Sequence, residues 1–312
     1  MRIALAVALL LIIAVVALAG VVRFRGDMQR AAERVSRSAI MQTASGPIEY
    51  ADVGTGVPVL ALHGTAGGWD QAVASASGLV PLGYRVIAPS RFGYLRTPWR
   101  SDASPALEAD TWVMLLDSLG VKRAPVLSWS AGSAPAVQLA LRHPDRVSKL
   151  VFFVPGAGGI LPPEALPPRW VVDAAFTWDF PIWAAGRMMP GLMRKWVAVS
   201  DSLVPLLAAE DRAELERTIA DMMPVSARHD GMMYDARSQA GGFGLYPIDR
   251  IARPTLWIST EDDLYRTLRV ARHAAGVIPG ARLLQYETGG HLLLGRGADM
   301  WPRVDRFLRD SS

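Results

Sequence analysis

Six apolar runs of strand length, 59–62, 85–88, 125–127, 149–154, 255–258 and 282–286, alternate along this chain with stretches of helical periodicity. Several are apolar at consecutive positions, the pattern of strands buried on both faces. Strands alternating with helices imply a parallel sheet covered on both sides. The helical stretches carry their own start and stop signals. Ser104-Pro105 is an N-cap followed by proline at the first helical position; Ala109, Trp112, Val113 and Leu116 then form one apolar face, and Gly120 ends the helix. "SAPAVQLALRH" stops before Pro144, and "DDLYRTLRVARHAA" precedes Gly276. The expected fold class is α/β with a doubly wound, mostly parallel sheet, and 312 residues suffice to bury its core.

In such sheets ligands sit beyond the carboxyl ends of the strands. Those ends read "HGTAGG", "PSRFGYLRT", "SWSAGS", "STEDD" and "ETGGH", so a serine, acidic residues and a histidine gather at one edge in chain order. Ser130, in "VLSWSAGSAP", stands where a strand gives way to a helix, beside N–H groups and a dipole that favour developing negative charge. Taken alone, it is equally a helix N-cap. Asp262 and Asp263 are equally the acidic first turn of a helix. His291, after two glycines, is a candidate general base. His63 is read as a support of its loop, and His143 and His273 as solvated residues near helix ends.

The motifs "HGTAGG" at 63–68, "SWSAG" at 128–132, "PTLWISTEDD" at 254–263 and "GGH" at 289–291 resemble those of the α/β-hydrolase superfamily over roughly residues 45–308. The resemblance is to its serine-nucleophile, cap-containing branch. It implies that Ser130 is the nucleophile on a strained strand-to-helix turn, whose neighbours two positions away must be small. Here they are Ser128, in place of the usual glycine, and Gly132. It further implies His291 as general base, and Asp263, three residues after Thr260, as the acid that orients it in preference to Asp262. The backbone N–H groups of Thr65 and Ala131 would meet the oxyanion, with no metal or organic cofactor required. Serine rather than aspartate at 130 argues against the dehalogenase and epoxide-hydrolase branches. The core would be 45–154 and 248–312, and a mainly helical cap would occupy 155–247. That segment carries Trp170, Trp178, Trp183, Trp196 and the Met pairs at 188/189, 222/223 and 232/233. These suit an irregular apolar substrate or pack the cap onto the core. Arg228 to Asp230, in "ARHDG", either contact substrate or form salt bridges to the core.

The function implied is hydrolysis of an ester, thioester or lactone of a small to medium, largely apolar acid. Carbon–carbon bond hydrolysis and cofactor-free perhydrolysis use the same three residues. A membrane-tethered, non-catalytic ligand-binding module is the reading from another class, motivated by Ser128.

"IALAVALLLIIAVVALAGVV", from Ile3 to Val22, carries no charge and as a helix spans about 30 Å, the thickness of a hydrocarbon core. Residues 1–22 are expected to be a single-pass anchor; Ala17-Leu18-Ala19 offers the alternative of a cleaved signal peptide. Arg23, Arg25, Arg30, Arg34 and Arg37 follow the run while only Arg2 precedes it, which favours a cytoplasmic body. A signal-like start argues instead for export. Residues 23–44 are expected to be a polar connector, so a chain lacking 1–37 should keep its body intact. The net charge of +4 is not concentrated in any basic run of the body, and nucleic acid is not an expected partner. There is no cysteine, which excludes disulfides and thiolate metal sites.

Overall fold

The computed structural model describes residues 2–156, 169–238 and 246–310. Its strands are β1 (Ala39–Thr43), β2 (Gly46–Val53), β3 (Val57–Leu62), β4 (Tyr84–Pro89), β5 (Ala124–Trp129), β6 (Val147–Phe153), β7 (Thr255–Thr260) and β8 (Arg282–Tyr286). They form one sheet in the order β1-β2-β4-β3-β5-β6-β7-β8. β2 runs antiparallel to β1 and β4, and every other neighbouring pair is parallel. The helices are α1 (Arg2–Val35), α2 (Trp69–Ser75), α3 (Pro105–Ser118), α4 (Ser133–Arg142), α5 (Arg169–Thr177), α6 (Asp179–Met188), α7 (Pro190–Trp196), α8 (Ala209–Asp221), α9 (His229–Ser238), α10 (Thr267–Val277) and α11 (Gly297–Arg309).

Strand side chains alternate between two cores. Leu60, Leu62, Ile87, Val126, Phe152 and Trp257 pack with α3, α4 and α10. Val59, Ala61, Val86, Leu127, Phe153 and Ile258 pack with α2 and α11 on the opposite face. The sheet is therefore doubly wound, as the consecutive apolar runs require. Ser104 caps α3 by accepting a hydrogen bond from the Leu107 N–H at 3.2 Å. Between β6 and β7 the chain leaves the sheet and forms α5 to α9. Residues 157–168 and 239–245, within the expected cap segment, lie outside the described residues.

Three boundaries differ from expectation. β1 lies within the stretch expected to be a connector; it is an edge strand with no buried residue, and its short apolar run, Ala39 to Met41, is flanked by polar residues. α10 starts at Thr267 because residues 262–266 form a turn, with Arg266 at φ 56°. The third concerns α1, a single helix of 34 residues that does not end with its apolar run. Phe24, Met28, Ala31 and Val35 follow helical spacing. The first three pack with Trp183, Met223 and Val225, and Val35 is buried and accepts a hydrogen bond from Trp69 Nε1 at 3.2 Å through its carbonyl. Arg34 pairs with Asp70 at 2.5 Å and donates to the Met223 carbonyl at 2.7 Å. The body is thus not complete at residue 38, which corrects the connector expectation: the apolar stripe is narrow and its arginines mask it.

A chain beginning at residue 38 should unfold in urea with a free energy on the order of 3 kcal/mol lower than a chain beginning at residue 23, through lost apolar burial and a broken, part-buried ion pair. Equal values for the two would mean that residues 23–37 do not contribute to the body.

Candidate active site

β5 ends at Trp129, and a single turn of 3-10 helix over Ser130–Gly132 leads into α4. Ser130 has φ 46°, in the left-handed region that a residue with a side chain occupies only under constraint. The constraint is crowding by neighbouring backbone. A Cβ on Gly132 would stand 2.7 Å from the carbonyl oxygens of both Leu62 and His63, and one on Gly156 would stand 2.7 Å from the carbonyl carbon of Ser130. The Gly156 N–H donates to the Ser130 carbonyl at 3.0 Å. Ser128 is fully buried in β5, and its hydroxyl has no hydrogen-bond partner among the described residues.

His291 follows Gly289 and Gly290, at φ 135° and 60°. Asp262 accepts hydrogen bonds from both glycine N–H groups, at 3.2 and 2.8 Å, and so holds the backbone of this turn. Asp263 instead faces the ring, with Oδ2 2.9 Å from His291 Nδ1. It also accepts from the Tyr265 N–H at 2.9 Å and from the Thr267 hydroxyl. Burial pushes the Asp263 carboxyl up, but the His291 charge and these hydrogen bonds outweigh it and hold its pKa below the ordinary 3.8. An ionised Asp263 places the ring proton on Nδ1 and leaves Nε2 with its lone pair. Tyr265, which no motif singles out, packs edge-on against the imidazole with centroids 4.9 Å apart.

Ser130 and His291 border one cavity of about 1650 Å³. No hydrogen bond joins their side chains among the described residues; in unliganded sites such bonds are often long and tighten with substrate. Thr65 borders the same cavity, and Ala131, directly after Ser130, is buried. The loop carrying Thr65 is tied from several sides. His63 Nδ1 donates to the Gly64 carbonyl at 2.7 Å, while Nε2 accepts from the Arg91 N–H at 2.9 Å. Arg228 is fully buried; it donates to the Gly67 carbonyl and pairs with Asp70 at 2.8 Å. The "ARHDG" arginine is therefore a tie between α2, this loop and the inserted helices. The Thr65 hydroxyl donates to Asp235 of α9 at 3.0 Å.

Asp235 belongs to a buried network that the sequence did not reveal. It receives two hydrogen bonds from Arg91, at 3.1 and 2.8 Å, and one from the Tyr94 hydroxyl at 2.6 Å. Arg91 Nε lies 3.2 Å from Glu108. Burial disfavours the Arg91 charge, but Asp235 and Glu108 overcome it and hold its pKa well above that of a free guanidinium. Arg91 and Tyr94 lie in a strand-end loop legible as such, but their partner is more than a hundred residues away along the chain.

The inserted helices supply the remaining walls. Phe176 and Trp196 stack with centroids 5.2 Å apart and line the cavity with Met222 and Met232. Trp183 and Met223 pack on α1 instead, and Trp178, Met188 and Met189 are exposed. A further wall, from α8, carries Glu210, Asp211, Glu214, Arg217 and Asp221. Among the described residues no group of three His, Cys, Asp or Glu side chains is arranged to hold a metal ion.

The model of the alpha/beta hydrolase fold family matches residues 57–298. Among curated proteins, a 2-hydroxy-6-oxononadienedioate/2-hydroxy-6-oxononatrienedioate hydrolase of Pseudomonas putida is 28% identical over 275 residues, covering 82% of this chain and 89% of the relative. Among solved structures, an alpha/beta hydrolase fold protein from Nakamurella multipartita is 28% identical with a TM-score of 0.72, over 87% of this chain and 99% of the other. An N-acyl homoserine lactone degrading enzyme is likewise 28% identical, with a TM-score of 0.63, over 85% and 98%.

His63 yields a stability test. Burial first, then the Arg91 charge, hold its pKa at about 3 against an ordinary 6.5. The unfolded chain takes up this proton at a higher pH than the folded protein does. The contribution to stability is complete above pH 6.5 and is lost as pH falls from 6.5 towards 3. Urea unfolding across that window should show this loss, and His63→Asn should remove close to one proton from the slope while lowering stability overall. An unchanged slope would mean that His63 is protonated in the folded state. Asp235→Ala should lower the unfolding free energy by about 3–5 kcal/mol, because Arg91 then stays buried without its bidentate partner; a change within ordinary surface-mutation scatter would remove the network from this role.

Proposed function

The chain belongs to the α/β-hydrolase fold family, and from that premise we propose that it is a serine hydrolase cleaving an ester, thioester or lactone of a largely apolar acid. The observation that carries this reading is Ser130 at φ 46° between β5 and α4, bordering the same cavity as a histidine whose Nδ1 faces Asp263 at 2.9 Å. His291 Nε2 takes the proton of Ser130 as its oxygen attacks the carbonyl carbon. The N–H groups of Thr65 and Ala131 receive the resulting oxyanion, and ionised Asp263 stabilises the imidazolium. The imidazolium passes its proton to the leaving oxygen or sulfur. Water, deprotonated by His291, then cleaves the acyl-enzyme and releases the acid. In this reading α5 to α9 are the cap, and Phe176, Trp196, Met222 and Met232 accommodate the apolar acyl part.

The relative from Pseudomonas putida is named for a dioate substrate, which keeps carbon–carbon hydrolysis as a second reading. The acids along α8, with Arg34 and Arg217 as the nearby cations bordering the cavity, support a neutral substrate over a doubly charged anion. The lactone-degrading enzyme of similar fold supports the ester and lactone reading. The uncharged apolar run of α1, which is not buried against the body, supports a single-pass anchor.

Reaction with a fluorophosphonate followed by intact-mass measurement tests the nucleophile. Wild type should gain one phosphonyl group, and Ser130→Ala should gain none and lose turnover of water-soluble esters. Absence of labelling in the folded wild type would favour a non-catalytic binding module. Asp263→Asn should lower kcat by about 10⁴-fold, the scale seen when the orienting acid is lost, and Asp262→Asn should have a smaller effect. The reverse ranking would reassign the acid. Faster turnover of the dioate than of neutral esters or lactones would favour the carbon–carbon reading.

A further inference from the structure

Three residues of α6 meet one short stretch of α1. The Phe24 ring packs edge-on against Phe180 and Trp183, at 5.4 and 5.3 Å. Trp183 Nε1 donates to Asp27 at 2.8 Å, and Arg187 pairs with the same carboxylate. From Phe180 to Arg187 is about 10 Å along α6, whereas Phe24 to Asp27 is about 4.5 Å along α1. α6 therefore crosses α1 instead of running beside it. The crossing lies two residues past Val22, only about 3 Å beyond the uncharged run.

Around this crossing, large apolar side chains have no cover. Trp178 is 69% exposed and Met188 81%, and Phe180, Met189 and Leu192 are each about half exposed. Such a patch marks an interaction site on a soluble surface. Trp, Phe, Met and Leu beside cations are also the composition of a helix that lies in a lipid interface. Arg23 and Arg25 are exposed on this stretch of α1, while Asp27 is already paired with Arg30 and Arg187, and Asp201 with Arg194.

We propose that the exposed face of α6 and α7 docks on the bilayer surface, its apolar side chains among the upper acyl chains and its arginines at the lipid phosphates. The proposal rests on residues 3–22 being a retained anchor, since the level of α6 follows from where that anchor leaves the hydrocarbon. α7 also carries Trp196, which lines the cavity, so one short helix has lipid on its outer side and substrate on its inner side. Esters dissolved in the bilayer are the substrates this arrangement favours.

The chain has no native cysteine, so single-site fluorophores can be attached to the full-length protein in vesicles of phosphatidylcholine and phosphatidylglycerol. Trp178→Cys, Met188→Cys and Leu192→Cys carry the test probe, Ile12→Cys reports the anchor, and Lys122→Cys is the control on the amino side of the sheet. The probes at 178, 188 and 192 should shift to the blue and be quenched by lipids carrying a spin label near the headgroup, while the probe at 122 should do neither. Quenching at 12 by lipids spin-labelled deep in the acyl chain, with the probes at 178, 188 and 192 unquenched by either lipid, would overturn docking and leave the anchor standing. No lipid quenching at 12 would overturn the anchor reading, and the docking proposal with it.

Discussion

Everything in the site follows from how closely three backbones approach Ser130. The ends of β3 and β6 close on the turn after β5 at distances that no Cβ at Gly132 or Gly156 would permit. That crowding keeps Ser130 in the left-handed region, at a local cost of roughly 1–3 kcal/mol that the surrounding sheet offsets. A fully paired, doubly wound sheet is rigid enough to impose such a conformation. Its buried strands, with Phe152 stacked on Trp257 at 4.0 Å, leave the turn no room to relax.

Arginines bind the remaining pieces to that scaffold. Arg91, Arg228 and Arg34 each reach an acid or a carbonyl on a segment distant in sequence, and Asp70 receives two of them. A planar guanidinium with several donors suits such junctions, because one side chain can bind a carboxylate and carbonyls together. Buried pairs of this kind add little net stability compared with apolar packing, but an unmatched one is costly. Their effect is to exclude alternative arrangements of α1, α9 and the Thr65 loop more than to strengthen the one observed.

The same distinction explains what could be read in advance. Strands β3 to β7 were legible because burial on both faces writes itself as consecutive apolar residues, and the turns after them because glycines and reactive residues cluster there; β8, an edge strand with no buried residue, was legible from its place before the "ETGGH" turn. Ser130, Asp263 and His291 lie on those turns. β1 carried only the short run Ala39 to Met41, because an exposed edge strand has no buried face to demand more. The Asp235–Arg91–Tyr94 network lacked a signal because a charged residue in a helix is ordinarily solvated, and only the fold brings its partners to it. The docked part of α1 did carry a signal in Phe24, Met28, Ala31 and Val35, hidden by five arginines that suggested a tether.

The charge of the cavity wall bears on turnover as well as on recognition. Under the proposed reaction a neutral ester enters and a carboxylate leaves. Asp211, Glu214 and Asp221 of α8 border the cavity that it leaves. Burial first, then the Asp211 charge, raise the Glu214 pKa despite Arg217 nearby, so a further negative charge at this wall is opposed. A neutral substrate meets no such opposition, and it gains from Phe176, Trp196, Met222 and Met232 in proportion to the apolar area it buries. After cleavage the same wall acts on the new charge alone and weakens product binding relative to substrate binding, which favours release without any movement of the inserted helices.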